Sequence, residues 1–137
     1  MTRPVVQLEP TGCGIASAAA IAGWSYGKAR SVAKTMGIVA ADPRLWSTTT
    51  PVRSLLRRAG FAAGPETPFR SWKALPDLAL LSIKWHLERG RPCWHWVVFV
   101  REGGEARVLD PKRALKSNVR TDFGRMRPKW FMRVGKA

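Results

Sequence analysis

Cys13 stands between two glycines, in Thr11-Gly12-Cys13-Gly14, directly before a run of small residues that ends at Gly23. Ile15, Ala18, Ala19 and Ala22 recur in that run at helical spacing, which predicts a closely packed helix with the thiol at its amino terminus. Unpaired backbone N–H groups and the positive end of the helix dipole favour a thiolate there, the reactive form of cysteine. A nucleophilic thiol also needs a base, and the chain offers two histidines. His86 sits near charges and a predicted turn, so it reads as surface. His95 lies in Trp94–Val100, an aromatic and β-branched run that predicts a strand, with Cys93, Val97 and Phe99 on its own face and Trp94, Trp96 and Val98 on the other. One of those faces must be core. Beyond a Gly103-Gly104 turn, Asp110 follows the predicted strand Ala106–Leu109, where it either begins a turn or reaches back across the hairpin to fix the tautomer of His95. Taken singly, Cys13 and His95 are better read as core residues; together with Asp110 they could perform acyl-transfer chemistry.

The elements that must position these residues are punctuated by glycine, proline and serine. A second helix begins near Ser25, carries Ala29, Val32, Ala33 and Met36 on one face, and stops at Gly37. A third is capped by Thr50, has Pro51 in its first turn and Val52, Leu55, Leu56 and Ala59 as its stripe, and ends at Gly60. Leu78–Leu87 fits a helix through Leu78, Leu81 and Trp85, and a strand through Ala79, Leu81, Ile83, Trp85 and Leu87; we read it as a strand. Trp130–Val134 supplies another. Helices come first and sheet afterwards, an α+β arrangement.

The chain has 137 residues, enough for one domain spanning 1–137 with a core of its own. Hydrophobic residues make up 45% and charged residues 24%, which excludes a disordered or collagen-like chain. No segment has the length of a membrane span, and the short apolar run after Glu9 and Pro10 does not fit a cleaved signal peptide. Two cysteines are too few for a disulfide-stapled secreted module, so the expected setting is a reducing, cytoplasmic one, with export or injection as an effector left open. Cys93 is two residues from His95 and could approach Cys13 in a disulfide, or pack in the core. Cys13, Cys93, His95 and Asp110 lack the short-spaced pair of a usual zinc site, so no metal is expected.

Gln7, five residues and then Cys13-Gly14, followed later by His95-Trp96-Val97-Val98-Phe99 and Val108-Leu109-Asp110-Pro111, resemble the double-glycine peptidases that process bacteriocin leaders, a family of papain-like cysteine peptidases. Tyr26-Gly27, Leu55–Phe61 and Leu81–Trp85 fall where that family has similar segments, so the resemblance runs from Val5 to Phe123. It implies a papain-like fold, Cys13 as nucleophile, His95 as general base and then acid, and Asp110 as its orienter. It also implies that the Gln7 side-chain amide and the Cys13 backbone N–H bind the oxyanion, a kind of contribution worth ~3 kcal/mol. No cofactor is implied. The chain departs from the pattern at Leu81-Ser82, where many relatives have a proline and small residues, and in its tryptophan-rich strand, changes that bear on substrate fit. The best-known members are fused to transporter domains; with no membrane segment here, a free-standing peptidase is expected, with a peptide or protein as substrate.

The charge is the unusual feature: 24 Lys and Arg against 9 Asp and Glu give +15 at neutral pH. The excess is concentrated near the carboxyl end, in Lys112, Arg113, Lys116, Arg120, Arg125, Arg127 and Lys129, with Trp130 and Phe131 beside the last of them. Cations mixed with aromatics suit nucleic-acid strands, and the same charge suits acidic protein substrates. Three functions therefore stand at this point: a cysteine peptidase, the same site used for deamidation, amidase cleavage or acyl transfer, and an inactive basic module binding nucleic acid or an acidic partner.

Overall fold

A computed structural model describes residues 1–137. Its elements run α1 (Cys13–Ala22), α2 (Tyr26–Thr35), a 3₁₀ turn (Pro43–Trp46), α3 (Thr50–Arg58), β1 (Phe61–Ala63), β2 (Thr67–Pro68), β3 (Leu78–Glu88), β4 (Arg91–Glu102), β5 (Glu105–Leu109), β6 (Val119–Arg120), α4 (Phe123–Met126) and β7 (Trp130–Lys136). The architecture is α+β, as the order of helical and strand patterns predicts. Every strand pairing is antiparallel, in the order β1-β7-β3-β4-β5-β6, with β2 also on β7. None of the helices is long and apolar enough to cross a membrane.

Local chemistry explains the helix ends. The Ser25 hydroxyl accepts the Lys28 N–H and starts α2. At α3 the expectation shifts by one residue: Thr49, not Thr50, is the flanking residue, and its Oγ1 accepts from Arg53 Nε rather than capping a backbone N–H. Helix α1 buries nine of its ten residues, which its alanines allow by letting the sheet and α2 approach on all sides.

Both faces of the sheet are covered, where one buried face was expected. Trp94, Trp96, Val98 and Val100 of β4 pack with α1, α3 and Leu80 in the larger core. Val97 and Phe99 pack with Leu75, Leu81, Ile83, Val108 and Met126, roofed by Phe69, Trp72 and Phe123. Leu78–Glu88 is indeed a strand, but its alternation is broken. A bulge between Ile83 and His86, with Lys84 at φ 54°, turns Trp85 towards the larger core and leaves Leu87 59% exposed, so neither shares the face of Ala79, Leu81 and Ile83.

Candidate active site

Cys13 is the first residue of α1, so its N–H has no intrahelical partner. Both flanking glycines are required by close approach. A Cβ on Gly12 would lie 2.2 Å from the Tyr26 hydroxyl, and one on Gly14 would lie 2.7 Å from Val52 Cγ2 and 3.0 Å from Trp96 Cδ1. The helix start is thus pressed against β4, and the backbone N–H of Trp96 donates to Cys13 Sγ at 3.4 Å. That donor was not anticipated.

His95 on β4 and Asp110, the residue after β5, meet: His95 Nε2 lies 2.7 Å from Asp110 Oδ1. A carboxylate only accepts, so Nε2 carries a proton and Nδ1 is left for the hydrogen bond with Cys13. Burial opposes the charged imidazolium, but the hydrogen bonds to Asp110 and Cys13 and their attraction outweigh it and raise the His95 pKa to about 9. Asp110 is fully buried. Burial would raise its pKa, yet the bond to His95, the Lys112 N–H on Oδ1 and the Arg120 guanidinium on Oδ2 hold it at about 2. Asn118 fixes the backbone on both sides, donating from Nδ2 to the Asp110 carbonyl and accepting the Asp110 N–H at its own carbonyl.

Arg120 is the one cation that the structure moves out of the expected basic surface. Its guanidinium bridges Asp122 and Asp110, at 2.7 and 2.9 Å, with the side chain 17% exposed, and those bonds hold it charged. The alternation Arg120-Thr121-Asp122 was the available signal. Trp130 is displaced from that surface as well: it is buried edge-on against Trp94 and Trp96 and has no face free for a base. The remaining cations divide. Lys112 and Arg113 border the cleft beside His95; Arg125, Arg127 and Lys129 surround a separate hollow with Trp85, over whose ring Lys129 lies at 4.8 Å; Lys116 is exposed elsewhere.

The cleft holds about 500 Å³ and is walled by Gln7–Pro10, Trp46, Lys84, His86, Glu88, Cys93–His95 and Lys112–Ala114. His95 reaches this wall; Cys13 is 1% exposed at the inner end of the arrangement. Gln7 is held close by a bond from its N–H to the Pro111 carbonyl, next to Asp110. Its side chain differs from expectation: Nε2 donates to the carbonyls of Glu9 and Pro10, both at 3.0 Å, so neither amide hydrogen is free for an oxyanion, and Oε1 is buried without a partner. Both cysteines are free thiols, and they engage different groups, Cys13 with Trp96 and His95, Cys93 with Ser47 and Glu88. The side chains that gather like metal ligands are not the four weighed from sequence but His86, Glu88 and Cys93.

No family model matches the sequence, and no curated protein does. Among solved structures, the chain is similar to the crystal structure of the peptidase domain of Streptococcus ComA, a bifunctional ABC transporter involved in a quorum-sensing pathway, at TM-score 0.64 and 15% identity over 100% of both chains. That identity speaks for the backbone, and the architecture assembled above, a small-residue helix against an antiparallel sheet, is therefore the fold of the ComA peptidase domain.

Proposed function

We propose that this chain is a cysteine peptidase in which Cys13 is the nucleophile, His95 the general base and acid, and Asp110 the group that orients His95. The observation that carries the reading is the hydrogen-bonded run His95, Asp110, Arg120, at 2.7 and 2.9 Å, with the buried Cys13 thiol at its inner end and a cleft large enough for several residues of extended peptide beside it. The Cys13 proton passes to His95 Nδ1, and Sγ bonds to the scissile carbonyl carbon. The oxyanion faces the unpaired Cys13 N–H at the start of α1. His95 returns the proton to the amide nitrogen as the C–N bond breaks, leaving a thioester; water then attacks it, gives a proton to His95 and releases the thiol. Gln7–Pro10 walls the cleft and also occupies the Gln7 amide. Displacement of that segment by substrate would expose Sγ and release Nε2–H to the oxyanion together.

The substrate we propose is a peptide with an acidic side chain. Lys84 and Lys112 both line the cleft, and partial burial and the neighbouring ammonium lower the Lys84 pKa although Asp110 acts to raise it. Arg113 lies on the same wall. A carboxylate would relieve that repulsion.

The test is a peptide library containing acidic and neutral members, read by product mass. Two fragments per cleaved member are expected, with acidic members preferred, and Cys13→Ala should lower the rate at least about a thousandfold. A Cys13→Ala protein that cleaves as well as the parent would falsify the reading, and a single product heavier by about one dalton would assign the site to deamidation instead.

A further inference from the structure

The end of the β3–β4 hairpin brings together three groups that the proposed peptidase chemistry does not use. His86 and Cys93 are register partners, and Glu88 follows two residues after His86 on the same strand. His86 Nε2 lies 3.1 Å from Glu88 Oε1, Cys93 Sγ lies 3.9 Å from Glu88 Oε2, and all three ligand atoms fall within 4.8 Å of one another.

The tautomer of His86 makes this more than proximity. Its Nδ1 is 2.8 Å from the Lys84 carbonyl, which only accepts, so Nδ1 carries the proton. Nε2 is then the nitrogen presented to the Glu88 carboxylate, 3.1 Å from Oε1. A carbonyl on Nδ1 is also the usual outer-shell partner that orients a histidine ligand. The bulge supplies it, because the left-handed Lys84 turns its carbonyl towards the ring.

We infer that His86, Glu88 and Cys93 form a binding site for Zn²⁺ on the wall of the cleft. Zinc bonds of about 2.0 Å to nitrogen and oxygen and about 2.3 Å to sulfur set tetrahedral ligand separations of roughly 3.3 to 3.6 Å. The separations of 3.1 and 3.9 Å straddle that range, and the widest of the three has about 1 Å to close, within the reach of the exposed His86 and Glu88 side chains. A thiolate and a carboxylate together neutralise the ion, which offsets the nearby Lys84, Arg89 and Arg91. Thiolate and imidazole favour zinc over magnesium or calcium. Three protein ligands leave one position open. Glu88 and Cys93 also border a second hollow, with Pro43, Ser47 and Arg91, through which an ion can enter. Cys93 and His95 line the same cleft, so a zinc ion with its open position facing inward narrows the peptide path; this inhibitory consequence rests on the proposed peptidase function, whereas the site does not.

The experiment titrates Zn²⁺ into the Cys13→Ala protein by calorimetry, so that neither the catalytic thiol nor turnover enters the result. One zinc per chain is expected, and His86→Ala, at an exposed position of the hairpin, should weaken it at least about tenfold. Co²⁺ in its place should give a sulfur-to-cobalt charge-transfer band that disappears in Cys93→Ser. No zinc binding by Cys13→Ala, or binding that His86→Ala leaves unchanged, overturns the site; the library experiment above is unaffected by either result.

Discussion

From Trp94 to Val100, β4 is sealed on both faces, whereas the hairpin from Lys84 to Cys93 stands mostly in solvent, with two non-glycine residues, Lys84 and Arg89, in left-handed conformations. In the sealed region the polar groups around the site are matched, with Trp94 Nε1 the exception: Asp110 has a partner on each oxygen, Trp96 Nε1 donates to the Leu45 carbonyl, and Trp96 N donates to Cys13. In the open region fewer partners are fixed: Lys84 lies beside Lys112, and the exposed His86 sits between the Lys84 carbonyl and the Glu88 carboxylate. Matched groups fix a proton's position, as acid–base chemistry demands; groups with fewer fixed partners in a cleft wall await a counterpart from outside.

The largest expected effect in this comparison is on stability against pH. A His95 pKa raised from about 6.5 to about 9 contributes stability that is fully present below about pH 6.5 and lost as pH rises through about 9. An Asp110 pKa lowered to about 2 contributes stability present above its ordinary value near 3.9 and lost as pH falls towards 2. Since the two groups share one interaction, it is counted once, at about 3 kcal/mol. Denaturant unfolding between pH 6.5 and 9.5 should show this loss, and His95→Gln should remove most of it.

Arg120→Ala tests the outer end of the same chain. It leaves one oxygen of a buried carboxylate unpaired, which should cost about 2 kcal/mol of stability. Removing a positive charge near the pair also favours the imidazolium, so the alkaline limit of the peptidase should move to higher pH. Arg120→Lys should restore the limit, because a merely structural role would not move it.

How far these regions were legible follows the same division. Patterns of period 3.6, with serine, proline and glycine at their ends, placed α1, α2 and α3 within a residue, because these helices pack by local spacing. The bulge at Lys84 was invisible, since nothing in Leu81–Leu87 marks where alternation breaks; β1 and β2 were too short to show any, and they pair only because β7 runs beside them. The order of Gln7, Cys13, His95 and Asp110 pointed to one site; the structure joins His95 to Asp110 and ties the Gln7 backbone to Pro111. The engagement of Gln7 with the carbonyls of Glu9 and Pro10 depends on loop geometry, which spacing does not encode. Arg120 was read by its charge alone, and charge counts say nothing of partners buried nearby.

The smallest effect belongs to the hairpin tip. Arg89 and Gly90 both have positive φ, 52° and 77°, as in a type I′ turn, where asparagine before glycine is preferred. Arg89→Asn should stabilise the protein by about 0.5 kcal/mol in thermal unfolding, without altering the pH dependence set by His95.

The central claim is that Cys13 and His95 share a proton, and the two cysteines allow it to be tested within one molecule. Cys93 lines the cleft whereas Cys13, 1% exposed, does not, so accessibility favours Cys93 and faster labelling of Cys13 has to come from its chemistry. Iodoacetamide labelling of the native protein at pH 6, read by peptide mass, should modify Cys13 much faster than Cys93, and His95→Ala should abolish the difference. Equal labelling of both thiols, or a preference for Cys13 that survives His95→Ala, would contradict the account.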